Sequence, residues 1–111
     1  MTLSAGVSGD LLVISAPTGH VLYRLVREAL ANASRHAPGQ PVEVCVQVFA
    51  DGAVRATVSN PCPTRDRRDL VGGGGGGLGL DAMTGRVRML GGQLSAGAED
   101  GRWVVRAELP A

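Results

Sequence analysis

Arg27-Glu28-Ala29-Leu30-Ala31-Asn32-Ala33-Ser34-Arg35-His36-Ala37 is the stretch whose reading decides the fold. It lies in a segment, from about His20 to His36, whose apolar residues recur at helical spacing. At ~100° per residue, Leu22, Leu25, Val26, Ala29, Leu30 and Ala33 fall within an arc of roughly 140°. Arg24, Arg27, Ala31, Ser34 and Arg35 lie opposite. The spacing predicts an amphipathic helix that buries one face. Glu28 and Asn32 are four apart and stack at the border of the two arcs, and His36 continues the line. A carboxylate and a carboxamide one turn apart offer hard oxygen ligands, as Mg²⁺ requires when phosphates and waters complete its shell. The bland alternative is a solvated helix edge, and the pair alone favours that alternative.

Outward from this helix, Pro38-Gly39 closes it. Val42, Val44, Val46 and Val48 alternate within a strand from Pro41 to Phe49. Asp51-Gly52 signals a two-residue hairpin turn, and Val54, Ala56 and Val58 continue the alternation in an antiparallel partner. Upstream, residues 1–9 are small and polar and read as a flexible segment, and the apolar run Leu11 to Ile14 reads as a first strand. Pro17-Thr18-Gly19 reads as a turn or cap. Downstream, Leu80, Met83, Val87 and Leu90 are spaced 3, 4 and 3, and Gly91-Gly92 ends a second helix. Leu94 and Ala96 suggest a short strand, and Trp103, Val105, Ala107 and Leu109 a closing one. The order β-α-β-β-loop-α-β-β implies an α+β two-layer sandwich, a mostly antiparallel sheet with helices on one face.

Between the hairpin and the second helix, the stretch from Asn60 to Gly77 has no periodicity. So long an irregular segment in a small domain reads as a lid or binding loop. It ends in six consecutive glycines, Gly72 to Gly77, a run read as excluded from helix or strand interior by backbone entropy. Bare amides entering a helix form an anion site, because the first N–H groups are unpaired and the dipole end is positive. The competing reading is a plain linker. Leu78-Gly79-Leu80 follows the run, so a Walker A loop, which needs Lys-Ser/Thr there, is excluded.

Composition narrows the chemistry. The chain has 111 residues, one domain's worth, and its only aromatics are Tyr23, Phe49 and Trp103. All 11 basic residues are Arg, which excludes Schiff-base and lysine-base mechanisms. A formal charge of +1 argues against a nucleic-acid footprint. Cys45 and Cys62 read as reduced thiols of a cytoplasmic protein, and with His20 and His36 they lack metal-ligand spacing. The longest apolar run is well short of the ~20 residues of a membrane span.

Taken together, these motifs resemble a known family. The stretch Arg27 to Ala37 resembles the N box of sensor histidine kinases, and Gly77-Leu78-Gly79-Leu80 resembles their second glycine box. Met83, then Arg86-Val87-Arg88-Met89-Leu90-Gly91-Gly92-Gln93-Leu94, resembles the helix and strand that follow, and Trp103 to Pro110 the closing strand. The likeness covers about residues 10–111 and points to the actinobacterial-type subclass with short dimerisation helices. It implies a Bergerat ATP-binding sandwich with ATP and Mg²⁺ as ligands and a lid at about 61–78. It further implies that Asn32 coordinates Mg²⁺ and that Glu28 is the catalytic carboxylate. Arg35 and His36 would lie near the phosphates. Gly77, Leu78, Gly79 and Leu80 would cradle them, and Asn60 would meet the adenine amine.

The sequence departs from the family at named places. Asn60 stands where the family usually has an aspartate, Cys62 and Thr64 replace glycines of the first glycine box, and Gly85 interrupts the second helix. His20 lacks the acidic neighbour of a phosphoacceptor, so the expected phosphoacceptor lies elsewhere and the chain reads as a fragment. The implied function is transfer of the ATP γ-phosphoryl to a histidine on separate dimerisation helices, with a response regulator downstream. The implied location is cytoplasmic, whether or not the parent chain is anchored in a membrane. Two alternatives share the fold: a degenerate module acting by protein interaction, and an anti-sigma serine kinase.

Overall fold

The computed structural model describes residues 3–36, 39–61 and 75–111. A five-stranded sheet carries two helices on one face. The elements are β1 (Leu3–Ser8), a single 3₁₀ turn (Leu11–Val13), α1 (Ala16–His36), β2 (Val42–Val48) and β3 (Val54–Pro61), then α2 (Gly75–Met89), β4 (Gln93–Glu99) and β5 (Arg102–Leu109). The strand order is β1-β2-β3-β5-β4; β1 and β2 are parallel and every other pair is antiparallel. This is the expected two-layer α+β sandwich.

Period-two patterning fixes which face is covered. Val42, Val44, Val46 and Val48 of β2 are buried while the residues between them are exposed. Val54, Ala56 and Val58 of β3 and Trp103, Val105, Ala107 and Leu109 of β5 complete the apolar floor. Leu25, Ala29 and Ala33 of α1 and Met83 and Val87 of α2 press onto it. The opposite face is polar and ion-paired: Arg55 meets Glu108 at 3.3 Å, Arg106 meets Glu99 at 3.2 Å, and Arg102 meets Glu43 at 3.8 Å.

Helix ends follow local chemistry. Ser15 caps α1: its hydroxyl accepts from the Thr18 backbone N–H at 3.3 Å and donates to Thr18 Oγ1 at 3.0 Å. The expected cap at Pro17-Thr18-Gly19 therefore lies inside the helix, which starts at Ala16, earlier than about His20. Pro17 is tolerated because first-turn N–H groups have no intrahelical partner. α2 ends in a Schellman motif. Gly91 is left-handed (φ +82°), its N–H reaches the Arg88 carbonyl, and the Gly92 N–H reaches the Val87 carbonyl.

Four expectations are corrected. Leu11 to Ile14 is not a strand: Asp10 Oδ1 accepts from the Leu12 N–H at 2.9 Å, and this side-chain turn folds Leu11–Val13 into a 3₁₀ turn. The first strand is instead Leu3–Ser8, within the segment read as flexible; four of its six residues are Ser, Ala or Gly, and the pairing with β2 supplies what their propensity does not. The hairpin loop has three residues, not two. The Gly52 N–H donates to the Phe49 carbonyl, and Gly52 (φ +94°) takes the left-handed position before Ala53 resumes pairing. The glycine run is not wholly outside regular structure, because α2 begins at Gly75. Its cost there is offset by the packing of Met83 and Val87 one to three turns on. Residues 62–74, including Cys62, Thr64 and most of the expected lid, lie outside the described residues. No helix among the described residues is long and apolar enough to cross a membrane.

Candidate functional site

Register brings the candidate residues to one end of the sandwich. Glu43, at the start of β2, pairs with Ser59 near the end of β3, and Asn60 pairs with Trp103 at the start of β5. α1 feeds β2 through a short connection, so its last turns, with Asn32, lie at that same end. α2 is reversed at its Schellman turn into β4, whose Gln93 pairs with Glu108 at the opposite end of β5. The glycine-bearing start of α2 therefore points back toward Asn32 and Asn60.

Asn32 is the centre of this end. It is 4% exposed, deeper than a helix-edge position implies, because α2 packs beside α1 and covers the border of its apolar arc. Its Oδ1 accepts from Arg35 Nη2. The same Nη2 lies 3.8 Å from Glu28 Oε1. Glu28 and Asn32 thus present oxygens from successive turns to one cation. That is the donor set a hard divalent cation takes, so the residues present fit Mg²⁺ shared with phosphate oxygens. Arg35, expected near the phosphates, is the residue that holds these two oxygens together.

Asn60 follows the inward alternation of Val54, Ala56 and Val58 and is 2% exposed. Its Nδ2 donates to the Pro61 carbonyl at 3.1 Å, which commits the donor end of the amide and leaves Oδ1 as the accepting end. The backbones of Gly77, Leu78, Gly79 and Leu80 are helical, in the first two turns of α2. The side chains of Leu78, Leu80 and His36 lie outside the described residues. Sequence reading missed that Trp103, 7% exposed, stands directly across from Asn60. The signal was available, since pairing the two alternations inward puts the sole tryptophan beside that amide.

The comparisons agree with the fold. The family model described as histidine kinase-, DNA gyrase B-, and HSP90-like ATPase matches residues 19–111. Among solved structures, the chain is similar to the histidine kinase domain of the Erythrobacter litoralis EL346 blue-light activated histidine kinase. There the TM-score is 0.67 at 22% identity, covering 98% of this chain and 55% of that one, so this chain spans about half of that domain. The catalytic domain of histidine kinase ThkA gives a TM-score of 0.69 at 16% identity, over 98% of this chain and 78% of that one. The mycobacterial sensor histidine kinase MprB gives 0.65 at 23%, over 98% and 80%. No curated protein sequence matches. With a family model covering most of the chain and a fold shared with histidine kinase catalytic domains, the chain belongs to the histidine kinase-, DNA gyrase B- and HSP90-like ATPase family.

Proposed function

We propose that this chain is the ATP-binding catalytic domain of a sensor histidine kinase and delivers the γ-phosphoryl of ATP to a histidine on a separate dimerisation domain. The observation that carries this reading is the convergence of Glu28 and Asn32 on one cation, at the end of the sandwich where Asn60 and the start of α2 also lie. Bound Mg²⁺ would supply charge neutralisation of the phosphates, held by Asn32. The chain's own residues position the rest. Asn60 Oδ1 accepts from the adenine amine. The unpaired amides of the first turn of α2, at Gly77 and nearby, face the phosphates. Arg35 and His36 add positive charge. Glu28 polarises the incoming imidazole, so that an N–P bond forms in line as the P–O bond to departing ADP breaks. A response regulator would then take the phosphoryl group.

The test is titration of the chain with an ATP analogue and Mg²⁺, beside Asn32→Ala. Expected is metal-dependent binding that Asn32→Ala weakens at least about tenfold. No binding at millimolar nucleotide, with the variant indistinguishable, overturns the reading. One observation favours a second reading, a module that interacts without turnover: the adenine-facing position is a neutral amide rather than a carboxylate. Autophosphorylation of the parent kinase separates the two.

A further inference from the structure

Among the described residues, the arginines on the open face of the sheet have carboxylate partners and three on the helix side do not. On the open face of the sheet, Arg55, Arg102 and Arg106 each lie within 4 Å of a glutamate. On the helix side, Arg24 and Arg27 of α1 and Arg86 of α2 have no carboxylate at that distance among the described residues, and all three are exposed, whereas Arg35 is drawn to Glu28. They line one cleft of about 270 Å³ between the helices, with Ala31, Ala82 and Met83. Glu28 also lines it, but its carboxylate is drawn to Arg35. Beside the cleft, Tyr23 is 61% exposed and the Arg27 guanidinium lies 5.8 Å from its ring centre.

Three guanidinium groups that line one cleft without a carboxylate partner among the described residues repel one another, and an anionic partner relieves that repulsion. The small apolar lining selects among anions. A free phosphate gains nothing from Ala31, Ala82 and Met83, whereas a polypeptide side chain buries apolar surface there. Arg24 and Arg27 are three apart on one helix, the spacing that meets carboxylates one turn apart on a second helix. Exposed Tyr and Arg are also the residue types that anchor protein interfaces. A chain of net charge +1 lacks the broad basic field that nucleic acid requires.

We infer that the α1–α2 cleft of Arg24, Arg27 and Arg86 is a docking site for an acidic helical segment of a partner protein, adjoining the nucleotide site around Asn32 at Glu28. Fluorescence anisotropy of the intact chain tests this with a labelled helical Ala/Leu peptide bearing Glu at every fourth position, and its Glu→Gln counterpart. The Glu peptide is expected to bind at least about tenfold more tightly than the Gln peptide, and more weakly as salt rises. Arg24→Glu with Arg86→Glu, and separately Arg24→Gln with Arg86→Gln, are expected to abolish that preference. Affinity for the ATP analogue, measured alongside, is expected to be unchanged in both. Equal binding of the two peptides overturns the inference, as does a preference that survives both pairs of substitutions. Displacement of the Glu peptide by inorganic phosphate or by a single-stranded RNA at lower concentration than by unlabelled Glu peptide overturns it too. A chain that binds the analogue but not the Glu peptide refutes the docking site alone; loss of analogue binding with the peptide retained refutes the nucleotide reading alone.

Discussion

The carbonyl oxygen of Asn32 accepts its hydrogen bond from the guanidinium of Arg35, one turn farther along α1. The same guanidinium lies 3.8 Å from Glu28 Oε1. A metal taking the Asn32 oxygen must displace it. Arg35→Ala is therefore expected to lower the Mg²⁺ concentration at half-saturation, measured without nucleotide, by a factor of about 2–5, the size of a half-exposed ion pair. An unchanged metal curve would show that the guanidinium does not contest the site.

Asn60 supplies a neutral acceptor at a buried position. Asn60→Asp adds charge assistance to a bond with an adenine amine, so adenine-nucleotide affinity is expected to rise by up to about tenfold. The same change buries a carboxylate, so the nucleotide-free protein is expected to melt at a lower temperature. Calorimetric titration and thermal melts read the two effects separately. A variant that melts lower without binding more tightly would remove Asn60 from the adenine contact.

Two glycines near the end of α2 predict opposite outcomes. A β-carbon at Gly92 would lie 2.2 Å from the Glu108 carbonyl oxygen and 3.0 Å from Val87 Cγ1, so Gly92→Ala forces the backbone apart. A loss of about 2–3 kcal/mol is expected in denaturant unfolding. Gly85 is helical and exposed, and a β-carbon there meets nothing within 4 Å. Gly85→Ala is expected to stabilise by about 1 kcal/mol. Equal effects of the two substitutions would contradict the close approach of Gly92 to β5.

The Ser15 hydroxyl satisfies an otherwise unpaired first-turn N–H of α1. Ser15→Ala is expected to cost about 1 kcal/mol in the same unfolding measurement, and Ser15→Asp to restore it. Failure of Asp to recover the loss would point away from capping.

The buried face of α1 was legible because Leu25, Ala29 and Ala33 recur at a helical period that only a core requires. The valines of β2 were legible for the same reason at period two. β1 was not, because four of the six residues of Leu3–Ser8 are Ser, Ala or Gly and its pairing with β2 depends on residues some forty positions away. The 3₁₀ turn at Leu11–Val13 was missed because a single Asp10 side chain outweighs an apolar run. In the site, Glu28 and Asn32 could be paired by spacing alone. The depth of Asn32 could not, since it depends on where α2 lies. The arginine cleft was invisible for a related reason: Arg24 and Arg27 read as a solvated helix face until Arg86 is set opposite them.

The Schellman turn makes α2 a cantilever. Its end at Leu90-Gly91-Gly92 is pinned by three backbone hydrogen bonds and by the contact of Gly92 with β5. Its other end consists of glycines, which brace it least. Any swing of the helix grows with distance from the pinned end, so Arg86, within two turns of it, moves least and Gly75 moves most. A phosphate bound at the start of α2, as proposed, would then act on the end of the helix farthest from the pinned turn, and the arginine cleft lies nearer that turn.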